Sequence, residues 1–380
     1  MHPDILRDID QKVHDGVITS KDSKLILKYL AERQSTRGLE PKSLLSEYQC
    51  LIPWAEYLKF SEATIDDIYQ AKAAMDGKGH KQNTLRHYVQ RLKRFYQWMQ
   101  EQGYPIDPVR LNKIRVPAID LLTKEASGML TEEEIKRIIE TCGRVRDRAF
   151  FAMLYEGGFR PVELVRLMWK DVRFDEYGAL VNPSAKTKRP RYVRLISSVP
   201  YLAAWKVEHP LGGRDTDPVF VTLPKPHTRL EYLGMKPVLK RAVKLAGIAK
   251  HVTLYTFRHS RVTSMLEQEV PESVIKLQHW GSLNSTMLAT YGHMSNRSMD
   301  DILLKHAGVK RGRPKGPSAM HAKQCEYCAT VNGPTARYCG TCGRPLDPAT
   351  ALKLTEKKEI ARRSPDYQEL LDRLKKDLNL

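Results

Sequence analysis

Two segments rich in proline, glycine or basic residues interrupt the chain and argue against one continuous core. Residues 103–127 contain Pro105, Pro108 and Pro117, and residues 310–317 read Lys-Arg-Gly-Arg-Pro-Lys-Gly-Pro. Proline cannot donate a backbone hydrogen bond, and clusters of this kind are typical of linkers. The chain has 380 residues, which is enough for two ordinary domains and a small module.

These interruptions and the patterns between them predict a multidomain protein. We expect an all-α domain, a second domain that is α/β but mainly α, a small cysteine module and a helical tail. The predicted boundaries are 1–104 for the all-α domain, 105–128 for a linker, 129–308 for the α/β domain, 309–322 for a basic linker, 323–346 for the cysteine module and 347–380 for the tail.

The charge of the chain predicts its class of partner. There are 63 lysine and arginine residues against 44 acidic residues, a net charge of +19 that is spread along most of the sequence. A charge of this size favours a polyanion, and nucleic acid is the first candidate. A basic protein without a specific ligand, such as a ribosome-associated factor, is the alternative. No stretch is apolar enough to cross a bilayer and no signal peptide is evident, so we expect a cytoplasmic protein without a membrane partner.

The first domain is predicted to be helical from about Asp22 to Gln102. Residues 43–58 form an amphipathic pattern that Pro53 should kink, and residues 83–100 form a cleaner helix. The apolar face predicted for the second helix consists of Leu85, Tyr88, Leu92, Phe95 and Met99. Basic side chains near or on this helix are either a solvated face or contacts to phosphate. The candidates for DNA contact are Lys78, Lys81, Arg86 and Arg91.

The second domain is predicted to mix helices with short strands. Thr131 and Glu134 have the spacing of a capping box, which starts a helix. Strands are expected at residues 178–182, 191–196 and 219–222, and helices at 233–246, 256–268 and 271–279. Ser364 and Pro365 predict the start of a last helix that runs to about Asp377.

Three segments of the second domain contain residues suited to one chemistry. The first holds Arg160-Pro-Val-Glu163-Leu, and the second is a basic turn around Lys186. The third begins at Tyr255-Thr-Phe-Arg258-His259 and runs through His279-Trp280 to Tyr291-Gly-His293. Each basic residue alone is more often part of a solvated face. The ordered set is the informative observation.

This set resembles the tyrosine recombinases, a family with an Arg-x-x-Glu-Leu box, a lysine in a β-turn, a His-x-x-Arg-His box, then a His or Trp and a tyrosine. The resemblance spans about residues 130–304, and the helical first domain resembles the core-binding domain with which the family clamps DNA. It implies a site-specific recombinase, or integrase, that cleaves and rejoins DNA through a 3′-phosphotyrosine intermediate. The implied partner is double-stranded DNA with paired recombination sites, bound by a homotetramer.

The resemblance implies a role for each residue of the set. Tyr291 is the nucleophile, and Arg160 and Arg258 stabilise charge on the non-bridging phosphate oxygens in the transition state. Lys186 matches the general acid that protonates the leaving 5′ oxygen, and the step needs no metal. Glu163 is expected to orient an arginine. His259 is either a participant or part of the helix packing.

Two positions depart from the family pattern. Tyr255 stands where the family usually has histidine, and phenols, which ionise at about pH 10, are poor bases at neutral pH. Counting back from Tyr291, the usual His or Trp position falls on Gly281 or Ser282, so His279 and Trp280 are the nearby candidates, with Trp280 favoured. The stretch around Tyr291, followed by a cysteine module, resembles archaeal integrases and their relatives in mobile elements.

Four cysteines near the carboxyl end have metal-ligand spacing. Cys325-x2-Cys328-x10-Cys339-x2-Cys342 forms two knuckles that suit a tetrahedral zinc ion in a zinc ribbon. With no open position, such a zinc would be structural; an iron–sulfur site is the alternative. Cys50 and Cys142 stand apart and are expected to be buried thiols.

The basic linker resembles an AT-hook. In that motif an extended Arg-Gly-Arg core lies in a narrow minor groove, and Arg311 and Arg313 would be the contacts here. A flexible basic linker is an equal alternative. Two rival functions also remain open for the whole chain: a type IB topoisomerase with the same chemistry, and a DNA-binding regulator on a decayed recombinase scaffold.

Overall fold

The computed structural model of the chain describes residues 2–120, 128–183, 191–295 and 318–366, with residues 304, 307, 369 and 373. The chain divides into two compact units, residues 1–121 and residues 122–380. Each unit has its own hydrophobic core. No helix in the described ranges is long and apolar enough to span a membrane.

The first unit is helical, as the sequence predicts. Its helices are α1 (Pro3–His14), α2 (Ser20–Arg37), α3 (Pro41–Leu51), α4 (Ile65–Asp76), α5 (Gln82–Glu101) and α6 (Pro108–Lys113). Local signals set several starts: Thr64 caps α4 in a reciprocal pair with Asp67, and Pro41 and Pro108 occupy the first turns of their helices. The centre of the core is aromatic, with Tyr29 packed against Phe95 and Trp98.

Helix α5 confirms the helix predicted at residues 83–100, with a shifted apolar face. Leu92, Phe95 and Met99 are buried as expected, together with Val89, Tyr96 and Trp98. Leu85 and Tyr88 are only partly buried against the core. The buried stripe is therefore wider than a single row at helical spacing, which is usual for a helix that faces a globular core.

The kinked helix predicted at residues 43–58 is wrong. Helix α3 ends at Leu51, and a short 3₁₀ helix follows at Ile52–Glu56. Pro53 lies in that 3₁₀ turn, where its missing N–H and fixed φ end the α-helical ladder instead of bending it. The turn brings Trp54 into the core, where it is fully buried.

The first unit also extends beyond its predicted end at residue 104. Ile106, Leu111 and Ile114 are buried in its core. Asp107 caps α6 by accepting hydrogen bonds from the backbone N–H groups of Val109 and Arg110 at 2.8 and 3.1 Å. The expected linker 105–128 is therefore wrong for its first ten residues, because Pro108 begins a helix there and does not break one.

The second unit mixes helices with a small sheet. Its helices up to Trp280 are α7 (Glu132–Thr141), α8 (Val145–Glu156), α9 (Pro161–Arg166), α10 (Val199–Val207), α11 (Tyr232–Leu245), α12 (Leu254–Glu267) and α13 (Glu272–Trp280). The capping box predicted at Thr131 and Glu134 is present at the start of α7. Helix α8 is buried on all sides, which makes it the central helix of this core.

The sheet has three antiparallel strands, β1 (Val172–Asp175), β2 (Gly178–Val181) and β3 (Val193–Leu195), in the order β1-β2-β3. Strands β2 and β3 confirm two predicted strands, whereas the four-residue strand β1 was missed although Val172-Arg-Phe-Asp175 alternates apolar and polar side chains. The strand predicted at residues 219–222 is wrong: only isolated bridges form there, including Val221 with Arg229. Pro218 itself bridges Met168, and the N–H groups of Thr222 and Leu230 donate to the carbonyl oxygens of Thr228 and Phe220, so the pairing stays local.

The cysteine module contains β4 (Lys323–Gln324) and β5 (Val331–Asn332), and it packs on the mixed domain of the same unit. The Tyr201 hydroxyl, on α10, bonds with the Thr335 hydroxyl and accepts from the Thr335 backbone N–H at 3.2 Å. Ser318 donates to the Glu132 carboxylate, and Met320 is buried in the domain core. The module is thus seated on the second unit at several points.

Helix α14 (Pro348–Arg363) follows the cysteine module. This helix lies within the helical tail predicted at residues 347–380, but the sequence placed the start of the helix at Ser364 and not at Pro348. Residues beyond 366 lie largely outside the described residues, and the predicted last helix with them.

Candidate active site

Arg160 is held at the start of α9 by two hydrogen bonds to Glu163, three residues further along the chain. Its backbone N–H donates to Glu163 Oε2 at 2.8 Å, and its guanidinium Nη1 donates to Glu163 Oε1 at 2.7 Å. Pro161, in the first turn of α9, lets the chain enter the helix immediately after the arginine. The guanidinium stays about one-third exposed, at 31%, so it can still reach a ligand.

Arg191 is a member of the site that the sequence did not single out. It is buried, donates to Glu163 Oε2 at 2.5 Å and bonds with the His279 carbonyl oxygen. Glu163 therefore holds two arginines, one on each carboxylate oxygen. In the sequence Arg191 is one of several cations around a basic turn, and nothing in the pattern marks it as the buried one.

Arg258, on α12, is the most enclosed guanidinium of the cluster, with 4% of its surface exposed. It donates to the His279 carbonyl oxygen at 2.7 Å and also bonds with the Gly158 carbonyl oxygen. Burial, and then the positive charges of Arg160 and Arg191, lower the pKa of Arg258 to about 9. Three arginines face one carboxylate here, so the site has an excess of positive charge that an anion would satisfy.

His279 and Trp280 have separate roles in the geometry. His279 is fully buried at the end of α13, and burial followed by the nearby Arg258 holds the pKa of its imidazole well below the ordinary value, so the ring is neutral. Its ring Nε2 lies 3.4 Å from Met265 Sδ. Trp280 is partly exposed, lies under the Arg258 guanidinium at 5.4 Å and is 6.4 Å from the Tyr291 ring. The assignment of Trp280 to the expected His or Trp position stays a prediction.

Tyr291 lies in a 3₁₀ segment, Thr286–Ser295, with only 2% of its surface exposed. Its ring belongs to a small cluster with Val262, Met265 and Ile275. The Tyr291 hydroxyl forms a hydrogen bond with Nδ1 of His259. Burial raises the pKa of Tyr291 to about 12, although the positive charge of Arg258 lowers it.

The remaining expected site residues lie apart from this cluster or outside the described residues. Tyr255 is one turn before Arg258 on α12 and is 39% exposed. Lys186, Arg311 and Arg313 lie outside the described residues. The structure therefore brings together Arg160, Glu163, Arg258, His259, Trp280 and Tyr291, with Arg191 added.

Residues 128–297 match the model of the phage integrase family. The matched residues contain the whole candidate active site, and curated relatives that the chain resembles are tyrosine recombinases. The tyrosine recombinase XerA of Pyrococcus furiosus is 28% identical over 233 residues, covering 60% of this chain and 76% of the relative. The tyrosine recombinase XerD of Oceanobacillus iheyensis is 25% identical over 287 residues, covering 70% of this chain and 92% of the relative.

Solved structures of recombinases share the fold. The integrase of the Tn1549 transposon, in complex with circular intermediate DNA, matches with a TM-score of 0.56 and 17% identity, over 73% of this chain and 98% of that one. XerH recombinase bound to a palindromic difH substrate matches with a TM-score of 0.55 and 14% identity, over 80% and 89% of the two chains. The predicted fold class, a helical domain followed by a mainly α mixed domain, is thereby confirmed.

The four cysteines of the cysteine module form a compact cluster. The sulfur atoms of Cys325, Cys328, Cys339 and Cys342 all lie within 4.8 Å of one another. The Cys325–Cys342 and Cys328–Cys339 sulfur distances are 3.6 and 3.5 Å. Sulfurs bonded to tetrahedral zinc at about 2.3 Å would be about 3.8 Å apart, whereas a disulfide would be about 2.0 Å. The cluster can therefore hold a metal such as zinc.

Three of the four basic residues expected to contact DNA in the first unit, Lys78, Arg86 and Arg91, have partners within that unit. Lys78 forms an ion pair with Glu56 and lies 5.0 Å from the Tyr57 ring centre, and Arg86 donates to the Pro117 carbonyl oxygen at 2.5 Å. Lys81 is exposed just before α5.

Arg91 lies 3.2 Å from the buried Glu47 carboxylate, which also pairs with Arg33 and Arg94. Three guanidiniums share one carboxylate, so this face keeps a positive surplus. Contact of these residues with DNA stays a prediction.

Proposed function

We propose that the protein is a site-specific DNA recombinase in which Tyr291 attacks a DNA phosphate and forms a 3′-phosphotyrosine. The observation that carries the proposal is the contact set of Tyr291, whose hydroxyl is bonded to His259 and whose ring lies beside Trp280 and Arg258. A buried phenol beside a surplus of guanidinium charge suits attack on an anionic phosphodiester.

The arginines would bind the phosphate and stabilise its transition state. In-line attack at phosphorus spreads negative charge over the non-bridging oxygens. Arg160 is partly exposed and Arg258 is buried behind it, so a phosphate could contact both forks while Glu163 and Arg191 keep them oriented. Burial, and then the positive charges of Arg160 and Arg191, lower the pKa of Arg258, and a bound phosphate would offset the repulsion between these charges.

The leaving 5′ oxygen needs a proton, and Lys186 is our candidate donor from its match to the family pattern. Tyr255 could donate a hydrogen bond to the phosphate from its exposed position on α12. Trp280 would pack against the phosphate beside Arg258. No metal takes part in this step; the chemistry is that of the side chains alone.

The partner would be double-stranded DNA with paired recombination sites, bound by a homotetramer. Support comes from neighbours in the fold comparison, which include a lambda integrase tetramer bound to a Holliday junction, with a TM-score of 0.53 and 15% identity. The XerA relatives from Pyrococcus support an archaeal branch. An enzyme of this kind would work beside the genome, for which we propose the cytoplasm.

We further propose that the cysteine cluster binds one structural zinc ion. Four thiolates leave no open coordination position, so the ion would have no catalytic role. Its function would be to fix the two knuckles that present Gly333 and Thr335 to Tyr201.

The test is to trap the covalent intermediate. The protein is incubated with DNA that carries candidate sites from its genomic neighbourhood, nicked near the scissile phosphate so that the cleaved fragment diffuses away. We expect a denaturation-resistant protein–DNA adduct that forms without added metal. The Tyr291→Phe variant removes only the hydroxyl and should bind the same DNA without forming the adduct. Binding by the parent without any adduct, across all candidate sites, would contradict the proposal and favour a DNA-binding regulator.

A further inference from the structure

We propose that His259 is the group that takes the proton from Tyr291 during strand cleavage and returns it during religation. This inference rests on the proposed function and assigns a catalytic role that the family pattern leaves to the position now occupied by Tyr255. Its basis is the direct hydrogen bond between His259 Nδ1 and the Tyr291 hydroxyl.

The nucleophile needs a specific proton acceptor because solvent hardly reaches it. Tyr291 is 2% exposed, and its ring is packed among apolar side chains. A phenol in this setting keeps its proton at neutral pH, so attack on phosphorus requires removal of the proton as the new bond forms. Arg258 can stabilise the developing phenolate, but a guanidinium has no acceptor atom.

The geometry makes His259 the suitable acceptor. The centres of the His259 and Tyr291 rings are 5.7 Å apart, and the rings are tilted by 42°. In this arrangement Nδ1 of His259 faces the Tyr291 hydroxyl and not the face of its ring. A neutral imidazole with its proton on Nε2 accepts at Nδ1. His259 follows Arg258 directly on α12, so the helix that places the phosphate ligand also places the acceptor.

Other candidates near the site are less suited to this transfer. Tyr255 is a phenol, and a phenol is a poor base at neutral pH. The His279 ring is fully buried and directed at Met265, and its backbone carbonyl is already bonded to two arginines. Among the side chains that the structure describes, His259 is the one recorded with a hydrogen bond to the Tyr291 hydroxyl.

The proton balance is complete with groups already named. As the bond between Tyr291 Oη and phosphorus forms, the phenolic proton moves to His259 Nδ1. The bond from phosphorus to the 5′ oxygen breaks, and that oxygen takes a proton from the general acid, for which Lys186 is the candidate. Religation runs in reverse. The 5′ hydroxyl attacks phosphorus and gives its proton back to the deprotonated general acid, the bond from phosphorus to Tyr291 Oη breaks, and the imidazolium of His259 returns its proton to Tyr291.

The experiment measures the rate of adduct formation on the nicked DNA for the full chain and its variants. We expect His259→Gln and His259→Ala to bind DNA with the parent's affinity and to form the adduct on the order of 10²-fold more slowly, since that is the low end for one proton-transfer group. Added imidazole should restore part of the rate to His259→Ala but not to His259→Gln. His251→Ala, an exposed histidine just before α12, is the matched control and should react like the parent.

A second DNA substrate distinguishes whether His259 accepts the proton of Tyr291 or donates a proton to the leaving group. If the bridging 5′ oxygen is replaced by sulfur, the leaving group no longer needs a proton, so a defect in the general acid disappears. The defect of the His259 variants should persist on this substrate. A parental rate in His259→Gln, or recovery of its rate on the sulfur substrate, would overturn the proposal. Because the parent and His251→Ala form the adduct in either case, these outcomes differ from failure of the recombinase function itself.

Discussion

Glu163 decides the arrangement of charge in the candidate site because its two oxygens hold two different arginines. One oxygen bonds the Arg160 side chain, and the other bonds the Arg191 side chain and the Arg160 backbone N–H. The sequence could indicate Arg160, Glu163, Arg258 and Tyr291 because they sit in motifs with fixed spacing. It could not indicate Arg191, whose importance depends on burial across 28 residues of separation and not on any local pattern.

Removal of Arg191 should destabilise the protein and not only the site. The Arg191→Ala variant leaves the buried Glu163 short of one partner, and loss of one member of a buried ion pair typically costs about 3–5 kcal/mol. Arg191→Lys keeps the charge but loses the fork that reaches both Glu163 and His279, so it should recover only part of the stability. The free energy of unfolding from denaturant titration measures both.

The control for this prediction is Arg166→Ala, an exposed arginine at the end of α9 in the same part of the fold. It should stay within about 0.5 kcal/mol of the parent. Equal stability of Arg191→Ala and the parent would contradict the buried pairing.

The ionisation of Tyr291 gives a second prediction for a single residue. With a pKa of about 12, against an ordinary value of about 10, Tyr291 should be almost wholly protonated at about pH 10.5, where an exposed tyrosine is about three-quarters ionised. Ultraviolet difference titration of the parent against Tyr291→Phe isolates this group. Because the raised pKa favours the protonated folded state, its contribution to stability is complete below about pH 10 and is lost as pH rises towards 12. An ordinary titration midpoint in the difference curve would contradict the burial of the phenol.

At the level of elements, the sequence predicted helices correctly where a capping motif or a regular apolar spacing marks them. The capping box at Thr131 and the strong apolar period of α5 were visible in the sequence, and both elements form. The errors lie where tertiary packing overrides local pattern. Pro105, Pro108 and Pro117 were interpreted as marks of a linker, yet Pro108 starts α6, since proline suits the first turn of a helix as well as a linker.

The junction between α8 and α9 contains a glycine, Gly158, beside which there is no room for a side chain. Gly158 has φ of +53°, and a Cβ atom there would lie 2.1 Å from Cε1 of His279. Its carbonyl oxygen also accepts from Arg258. Gly158→Ala should therefore lower the free energy of unfolding by more than the ordinary cost of about 1 kcal/mol for a left-handed alanine. It should also slow adduct formation, because His279 must move.

Gly247→Ala is the matched variant for this prediction. Gly247 also has positive φ, at +66°, but has open space where the methyl group would lie. The loss of stability in Gly247→Ala therefore reflects only the cost of a left-handed alanine. The difference in the free energy of unfolding between Gly158→Ala and Gly247→Ala measures the clash with His279. Equal losses of stability would show that the His279 ring yields without cost.

At the level of the whole molecule, the cysteine module belongs to the second unit by contact and not only by connection. Tyr201 bonds to Thr335, the Tyr201 ring fills the space next to Gly333, and Ser318 bonds to Glu132. Glu132 also accepts from Ser264 of α12, at 2.9 Å. The module is thereby linked to the helix that carries Arg258 and His259. None of these contacts has a signal in the sequence, since they join positions more than 130 residues apart.

Metal removal should release the module from this surface. After treatment with a strong zinc chelator, we expect the module to become sensitive to protease between Ser318 and Asp347, and we expect the same for Cys339→Ser. Tyr201→Phe should have a milder effect, about 0.5–1.5 kcal/mol for each hydrogen bond lost to Thr335. Zinc measured by elemental analysis should be close to one ion per chain in the parent and absent after chelation. Unchanged protease resistance after complete zinc loss would contradict a metal-supported module.

Ser318 and Met320 are fixed on the second unit by their contacts with Glu132 and the domain core. The cysteine module is therefore attached to this unit from its first described residues. A free tail explores all the volume within its contour length, whereas a segment fixed at both ends to one body is confined to a narrow shell around it. Ser295 and Ser318 both belong to the second unit, so the described residues on either side of the basic sequence 310–317 are attached to one body.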